Sequence, residues 1–400
     1  MAGLYIHVPF CESRCIYCGF YSTTSLKLRD AYVDALCGEM QLRPTSAELD
    51  ADERINTVYL GGGTPSQLSG EQLARLFDAI GDYIGGWDAT EQHAAENTDM
   101  EISKRRKMEI TMECNPDDVT EDFCETLRQL PVNRISMGAQ TFSDERLHFL
   151  HRRHTANEVR QAVDRLRRIG IDNISIDLMF GFPDETIDQW QSEIDEAVSL
   201  GVEHISAYSL MYEEGTALYR MLEAGKVSEI DEETSRKMYD TLIQRLTQAG
   251  YEHYEISNFA RPGYRSRHNS SYWHETPYIG LGAAAHSYHR ANERYERSWN
   301  TANLAAYIDS IGRGVRPYES EKLDLQTRYN DLITTALRTS DGIDIEQVGK
   351  EYGEVYKRQL LADAQTHISR GVVKVNGNRL SLTHKGLYIS DDVMSDFIIV

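Results

Sequence analysis

The sequence predicts an α/β fold, an incomplete (βα) barrel carrying a small helical, winged-helix-like domain at its C-terminal end. Two observations predict the barrel: short β-rich runs recur along the first half, and each is followed by a helical apolar pattern, which reads as successive βα units and a parallel sheet. The predicted strands are Leu4–Val8, Thr57–Leu60, Glu109–Glu113, Arg134–Met137, Ile174–Leu178 and His204–Leu210. Between them, apolar spacing predicts helices over Glu71–Ile84, Asn157–Ile169 and Thr186–Leu200, the last two closed by Gly170 and Gly201. A third observation predicts the smaller domain. From about Glu319 the alternation is lost, giving helical runs at Leu325–Leu337, Ile345–Tyr352 and Tyr356–Arg370, then a hairpin of Val372–Val375 and Leu380–Leu382 about the turn Asn376-Gly377-Asn378. The expected division is 1–312 for the barrel with its accessory elements and 313–400 for the C-terminal domain. One polar stretch, Gly85–Met108, interrupts the rhythm and is expected to be a solvated insertion.

Composition narrows the function. The 400 residues hold 63 acidic against 42 basic side chains, a formal charge of −21, which argues against nucleic acid as a partner, even for a winged helix. No apolar run is long enough to span a membrane and no secretory signal opens the chain, so a cytoplasmic location is expected, with peripheral membrane contact left open. Six cysteines, three of them clustered rather than spread in pairs, suit a reducing compartment.

Those three are Cys11, Cys15 and Cys18, a C-x₃-C-x₂-C loop directly after the first predicted strand. In such folds the loops leaving the C-terminal ends of the strands carry the chemistry. Structural zinc is one reading, but it wants a fourth ligand, and His7 lies on the strand rather than in the loop. A [4Fe-4S] cluster is the other. Three thiolates leave one iron open, and an open iron suits the amino and carboxylate groups of S-adenosylmethionine. One electron passed to the sulfonium would then give methionine and a deoxyadenosyl radical. Cys37, Cys114 and Cys124 show no ligand spacing and are expected to be core thiols.

After the second strand comes Gly61-Gly62-Gly63-Thr64-Pro65, a turn that lets backbone approach a ligand closely. It has neither the lysine of a P-loop nor the spacing of a dinucleotide fold. Further strand ends supply Glu113, Gln140 and Asp177, with Arg152 downstream. Carboxylates and amides suit ribose hydroxyls or an ammonium group, and a guanidinium suits a carboxylate. A second unusual run, His268-Asn269-Ser270-Ser271-Tyr272-Trp273, is flanked by Arg261, Arg265, Arg267, His286, His289, Arg290, Arg294 and Arg297. Such a run offers an axial ligand, aromatic cover and propionate partners for haem, or equally a histidine hydrogen-bonded in a packed interior.

These motifs, in order, carry a resemblance. Tyr-Ile-His-Val-Pro-Phe with Cys-x₃-Cys-x-Tyr-Cys, Tyr-Leu-Gly-Gly-Gly-Thr-Pro-Ser, Ser-Met-Gly-Ala-Gln-Thr-Phe, Ile-Asp-Leu-Met-Phe-Gly-Phe-Pro and Gly-Leu-Gly-Ala-Ala-Ala-His-Ser are similar to the radical-SAM family of oxygen-independent coproporphyrinogen III oxidase. Phe20, where the oxidase has a further cysteine, the absence of the oxidase's N-terminal extension, and His-Asn-x-x-Tyr-Trp resemble its haem-chaperone branch. The resemblance implies a radical-SAM barrel with Cys11, Cys15 and Cys18 on the cluster and Tyr5, Tyr17, Gly62, Gly63, Thr64, Glu113, Gln140, Arg152 and Asp177 around S-adenosylmethionine. It implies haem contact at His268, Asn269, Tyr272 and Trp273, delivery of haem to apo-haemoproteins, and an electron donor such as flavodoxin or ferredoxin. Coproporphyrinogen decarboxylation, and behind it radical methyl transfer, are the alternative activities. The oxidase's second cofactor site draws on the missing extension, so it is not carried over.

Overall fold

The computed structural model describes residues 1–87, 108–291 and 294–400. Most of the expected insertion therefore lies outside the described residues. Six parallel strands form the heart of the molecule in sequence order: β1 (Ala2–Val8), β2 (Ile55–Gly62), β3 (Glu109–Cys114), β4 (Arg134–Gln140), β5 (Asn173–Phe180) and β6 (His204–Ser209). Each strand alternates. Leu4, Ile6, Val58, Leu60, Met112, Ile135, Met137, Ile174, Ile176 and Ile205 are fully buried against helices on the outer face. Each such side chain removed from water contributes about 1.5–3 kcal/mol. Polar residues occupy the alternate positions: Tyr5 and His7, Thr57 and Tyr59, Thr111 and Glu113, Arg134 and Ser136, Ser175 and Asp177, His204 and Ser206. Period-two alternation puts them on the opposite face, inside the barrel.

Helix termini are set locally. Ser69, Thr155 and Thr186 each cap a helix through a capping box, so the helices run Gly70–Ile84, Ala156–Arg168 and Ile187–Ser199.

The sheet does not stop at β6. Two short strands, β7 (Glu252–Glu255) and β8 (Asn258–Ala260), add to β6 in antiparallel fashion. On the other flank β9 (Tyr278–Leu281) pairs parallel with β1, and β10 (His286–Ala291), β11 (Arg294–Asn300) and β12 (Tyr318–Lys322) continue antiparallel. The twelve strands follow the order β12-β11-β10-β9-β1-β2-β3-β4-β5-β6-β8-β7, and the two end strands do not pair, so the barrel is incomplete, as expected. Its last strand lies beyond residue 312.

A second apolar core gathers Tyr329, Ile333, Val348, Leu360, Val373, Leu380 and Phe397. It is built from helices Leu325–Ala336, Ile345–Glu351 and Glu354–Ser369 and a three-stranded sheet in which β14 (Val373–Asn376) and β15 (Arg379–Leu382) form the expected hairpin and β13 (Ile343–Asp344) adds to β15. No described helix is long and apolar enough to cross a membrane.

Candidate functional site

At the C-terminal mouth of the barrel lies a cavity of about 320 Å³ lined by Tyr5, Cys11, Cys15, Tyr17, Cys18, Gly62, Gly63, Thr64, Glu113, Gln140, Arg152 and Asp177. The structure thus brings together every residue expected at the cluster and the cofactor, from six segments of chain. The residues that sequence reasoning missed include Asn115, Ser136 and Tyr208, which line the same cavity, as does His7, weighed above only as a zinc ligand.

The cysteine loop is anchored at both ends and in its middle. Thr23 N–H donates to the Pro9 carbonyl (2.7 Å) and Cys11 N–H to the Thr23 carbonyl (3.0 Å). Ile16 is buried with Leu150, Phe182, Leu210 and Leu218, and its N–H donates to the Leu150 carbonyl (3.2 Å). Pinning this apolar residue leaves its cysteine neighbours half-buried and facing the cavity. Cys11 Sγ is 3.6 Å from Thr64 Oγ1, and Arg152 Nη1 is 3.6 Å from Cys15 Sγ. Burial pushes the Cys11 and Cys18 thiols up. Among the described residues no three His, Cys, Asp or Glu side chains converge on one ion. Thiols spread round the rim of a cavity, with no fourth protein ligand, fit a cluster better than a tetrahedral zinc. Cys114 and Cys124 are buried in the main core and Cys37 packs against it.

The glycine turn has a tighter job than expected. A Cβ on Gly63 would come within 2.6 Å of the Pro9 backbone, and one on Gly62, whose φ is +107°, within 2.3 Å of the His7 ring. The turn's N–H groups are already used: Gly62 donates to Glu113 Oε2 (3.1 Å), Gly63 to the Val8 carbonyl (2.9 Å) and Thr64 to the Phe10 carbonyl (2.8 Å). With its donors spent, the turn makes a poor anion cradle.

Glu113 also accepts from Tyr59 (2.7 Å), yet burial, with nearby Asp177 adding to it, pushes its carboxyl up to about 7. Burial pushes Asp177 up to about 6 against the opposing pull of the Ser206 hydroxyl, Arg134 and Arg152. Arg152 is held by the Gly138 carbonyl (2.7 Å) and Asn115 Oδ1 (2.8 Å). Gln140 sits at φ +65° beside a register shift in β4, which turns it into the mouth.

His268 is elsewhere. The helix Arg267–Tyr272 closes the opposite end of the barrel, where Glu109, at the start of β3, accepts the backbone N–H groups of Arg267 (3.0 Å) and His268 (2.9 Å). The imidazole is wholly buried, with Nδ1 against Thr57 Oγ1 (2.8 Å) and Nε2 against Tyr272 Oη (2.8 Å), and it stacks on Tyr59. Both ring nitrogens have partners, so of the two readings of this run the packed histidine is the one present in this conformation. Trp273 lies under the Arg338 guanidinium, and Asn269 stands in the helix's first turn, its N–H on Ser266 Oγ. Three of the flanking arginines turn to separate partners. Arg265 pairs with Glu252 and Asp341, Arg290 with Glu351, and Arg297 with Glu321 and Asp331. His286 stacks on Trp299, and His289 faces Glu48.

Fold and site together define a class. Residues 5–197 match the radical SAM superfamily, and the whole chain superposes on the structure of coproporphyrinogen III oxidase (HemN) from Escherichia coli with a TM-score of 0.80 at 21% identity, covering 99% of this chain and 90% of that one. That likeness is one of fold. Within the class the relatives are more particular. The heme chaperone HemW of Bacillus subtilis (strain 168) is 32% identical over 100% of this chain and 99% of its own length, and that of Synechocystis sp. is 35% identical over 90% and 82%. The chain belongs to the HemW family of radical SAM proteins.

Proposed function

We propose that this protein is a haem chaperone: it binds haem and hands it to apo-haemoproteins, and it carries a [4Fe-4S] cluster on Cys11, Cys15 and Cys18 with S-adenosylmethionine beside it. The observation that carries the cofactor half is the convergence of three half-buried thiols and nine pocket residues on one barrel mouth. When bound, the cluster supplies one-electron chemistry, and a flavodoxin- or ferredoxin-type donor would feed it. The chain's own residues do the holding. Arg152, fixed by Gly138 and Asn115, presents a guanidinium edge where an amino-acid carboxylate would lie. Glu113 and Asp177 offer acceptors to an ammonium or to ribose hydroxyls, and Tyr5, Tyr17 and Gln140 wall the pocket.

The haem half rests on kinship with proteins named heme chaperone HemW. Coproporphyrinogen decarboxylation is the alternative, and Phe20, 72% exposed at the cavity rim in place of the oxidase's further cysteine, speaks against it. Titrating haem into anaerobically reconstituted protein, with coproporphyrinogen turnover assayed in parallel, separates the two. Stoichiometric haem retention without decarboxylation is expected. Turnover without haem retention would overturn the reading.

A further inference from the structure

Arg134 opens β4 at the closed end of the barrel and is 1% exposed. Its Nε and Nη1 have no hydrogen-bond partner, and among the described residues no carboxylate forms an ion pair with it. Its strand neighbours give it nothing: Thr111, in register on β3, has an unpartnered hydroxyl of its own, and Asn173, in register on β5, has an unpartnered Oδ1. A buried guanidinium left this way is costly unless its charge is used, because an unpaired ion in a low-dielectric interior loses its hydration with no return. The charge is felt across the barrel by Tyr59, Glu113, Asp177, His204, Tyr254 and His268. Both histidines are engaged by neutral hydroxyls, His204 by Ser175 and Tyr254 and His268 by Thr57 and Tyr272, and burial keeps both uncharged. That leaves Glu113 and Asp177 as the anionic groups that Arg134 can serve without touching.

We propose that Arg134 is a positioning residue for the cofactor: an unpaired charge beneath the pocket that keeps Asp177 and Glu113 as carboxylates, ready to accept from a cationic ligand. The proposal rests on the S-adenosylmethionine reading above. The groups facing the two acids are Tyr5 from β1, Tyr59 from β2, Cys114 from β3, Arg134 from β4, Tyr208 from β6, Tyr272 from the closing helix and Arg152 from the loop after β4. Burial pushes the tyrosines and the thiol up, so they are neutral near pH 7. Arg152 gives its two terminal nitrogens to Gly138, Asn115 and Cys15 and keeps only its Nε free. Arg134, with both Nε and Nη1 unpartnered and no ion pair among the described residues, is the less committed of the two cations. The sign follows: only the carboxylate form attracts a sulfonium or ammonium, so affinity is full above the acids' free-state values of about 7 and about 6 and falls as the pH drops through them. Losing a nearby cation raises both values and moves that fall upward.

The test is the affinity of S-adenosylmethionine for the full-length, cluster-reconstituted protein, measured calorimetrically between about pH 5.5 and 8.5, a window around these carboxylates. Arg134→Gln is expected to move the midpoint of the profile up by about one unit while affinity at the alkaline end is kept, and Arg134→Lys to move it back. A uniform loss at every pH, or a profile that does not move, would overturn the proposal and leave Arg134 a packing residue. Should Arg134→Gln fail to fold, Thr111→Asp sets a carboxylate in register beside Arg134 and must give the same upward shift. Failure of the wild-type protein to bind S-adenosylmethionine would instead remove the cofactor reading itself.

Discussion

Two buried polar clusters lie on opposite faces of the large sheet, and they are finished to different degrees. Outside the barrel, Glu39 is fully buried and accepts from Arg43 Nη1 (2.8 Å), Asn300 Nδ2 (2.8 Å), Gly282 N–H (2.8 Å) and Tyr307 Oη (2.6 Å). Arg43 spends its donors on Glu39, Glu48, the Gly280 carbonyl and Ser287. Nothing is left over. Inside, Arg134 has unused donors, Thr111 an unused hydroxyl, and Glu113 and Asp177 are held above their ordinary values by burial. A saturated network holds parts of a fold together, here the helix Arg29–Leu42 and the flank β9–β11. An unsaturated one keeps capacity in reserve for something that is not protein.

Single substitutions disable either cluster. Glu39→Ala strips the anion from a buried, fully bonded network and leaves Arg43 partly unpaired, so a loss of about 3–5 kcal/mol in unfolding free energy is expected by chemical denaturation; a change below about 1 kcal/mol would mean the network is dispensable. At the closed end of the barrel, His268→Ala leaves the Thr57 and Tyr272 hydroxyls without their partner and is expected to cost about 1–3 kcal/mol. With the imidazole buried as it is, the Soret band of any bound haem should stay where it was. A displaced Soret band in folded, cluster-loaded His268→Ala would show that the helix Arg267–Tyr272 opens to give the ring to iron.

Much of this was legible from residue order. The six parallel strands announce themselves because each alternates apolar with polar residues over a run bounded by turns, and the site residues sit at strand ends where βα folds keep their chemistry. The flank β7–β12 was not legible. β8 has three residues, β12 (Tyr-Glu-Ser-Glu-Lys) is exposed throughout, and β9 is held by pairing with β1 and, just past its end, by the bond from Gly282 to Glu39, both partners more than two hundred positions away. No local pattern encodes a contact at that separation. The place of His268 was not legible for a related reason: its aromatic and basic neighbours are real, but sequence does not say at which end of a barrel a returning segment lands. Arg134 carried a readable signal that strand-end reasoning passed over, a charge at an alternate position of a strand whose other face is apolar.

S-adenosylmethionine binding by the cluster-reconstituted protein, titrated calorimetrically near pH 7 in wild type, Asp177→Asn and Glu39→Gln, separates cofactor site from scaffold most directly. If the unsaturated interior is the cofactor site and the saturated network is scaffold, Asp177→Asn binds about tenfold more weakly, a difference of about 1.4 kcal/mol, while folded Glu39→Gln binds as wild type does. Undiminished binding by Asp177→Asn, or an equal loss in both variants, would contradict it.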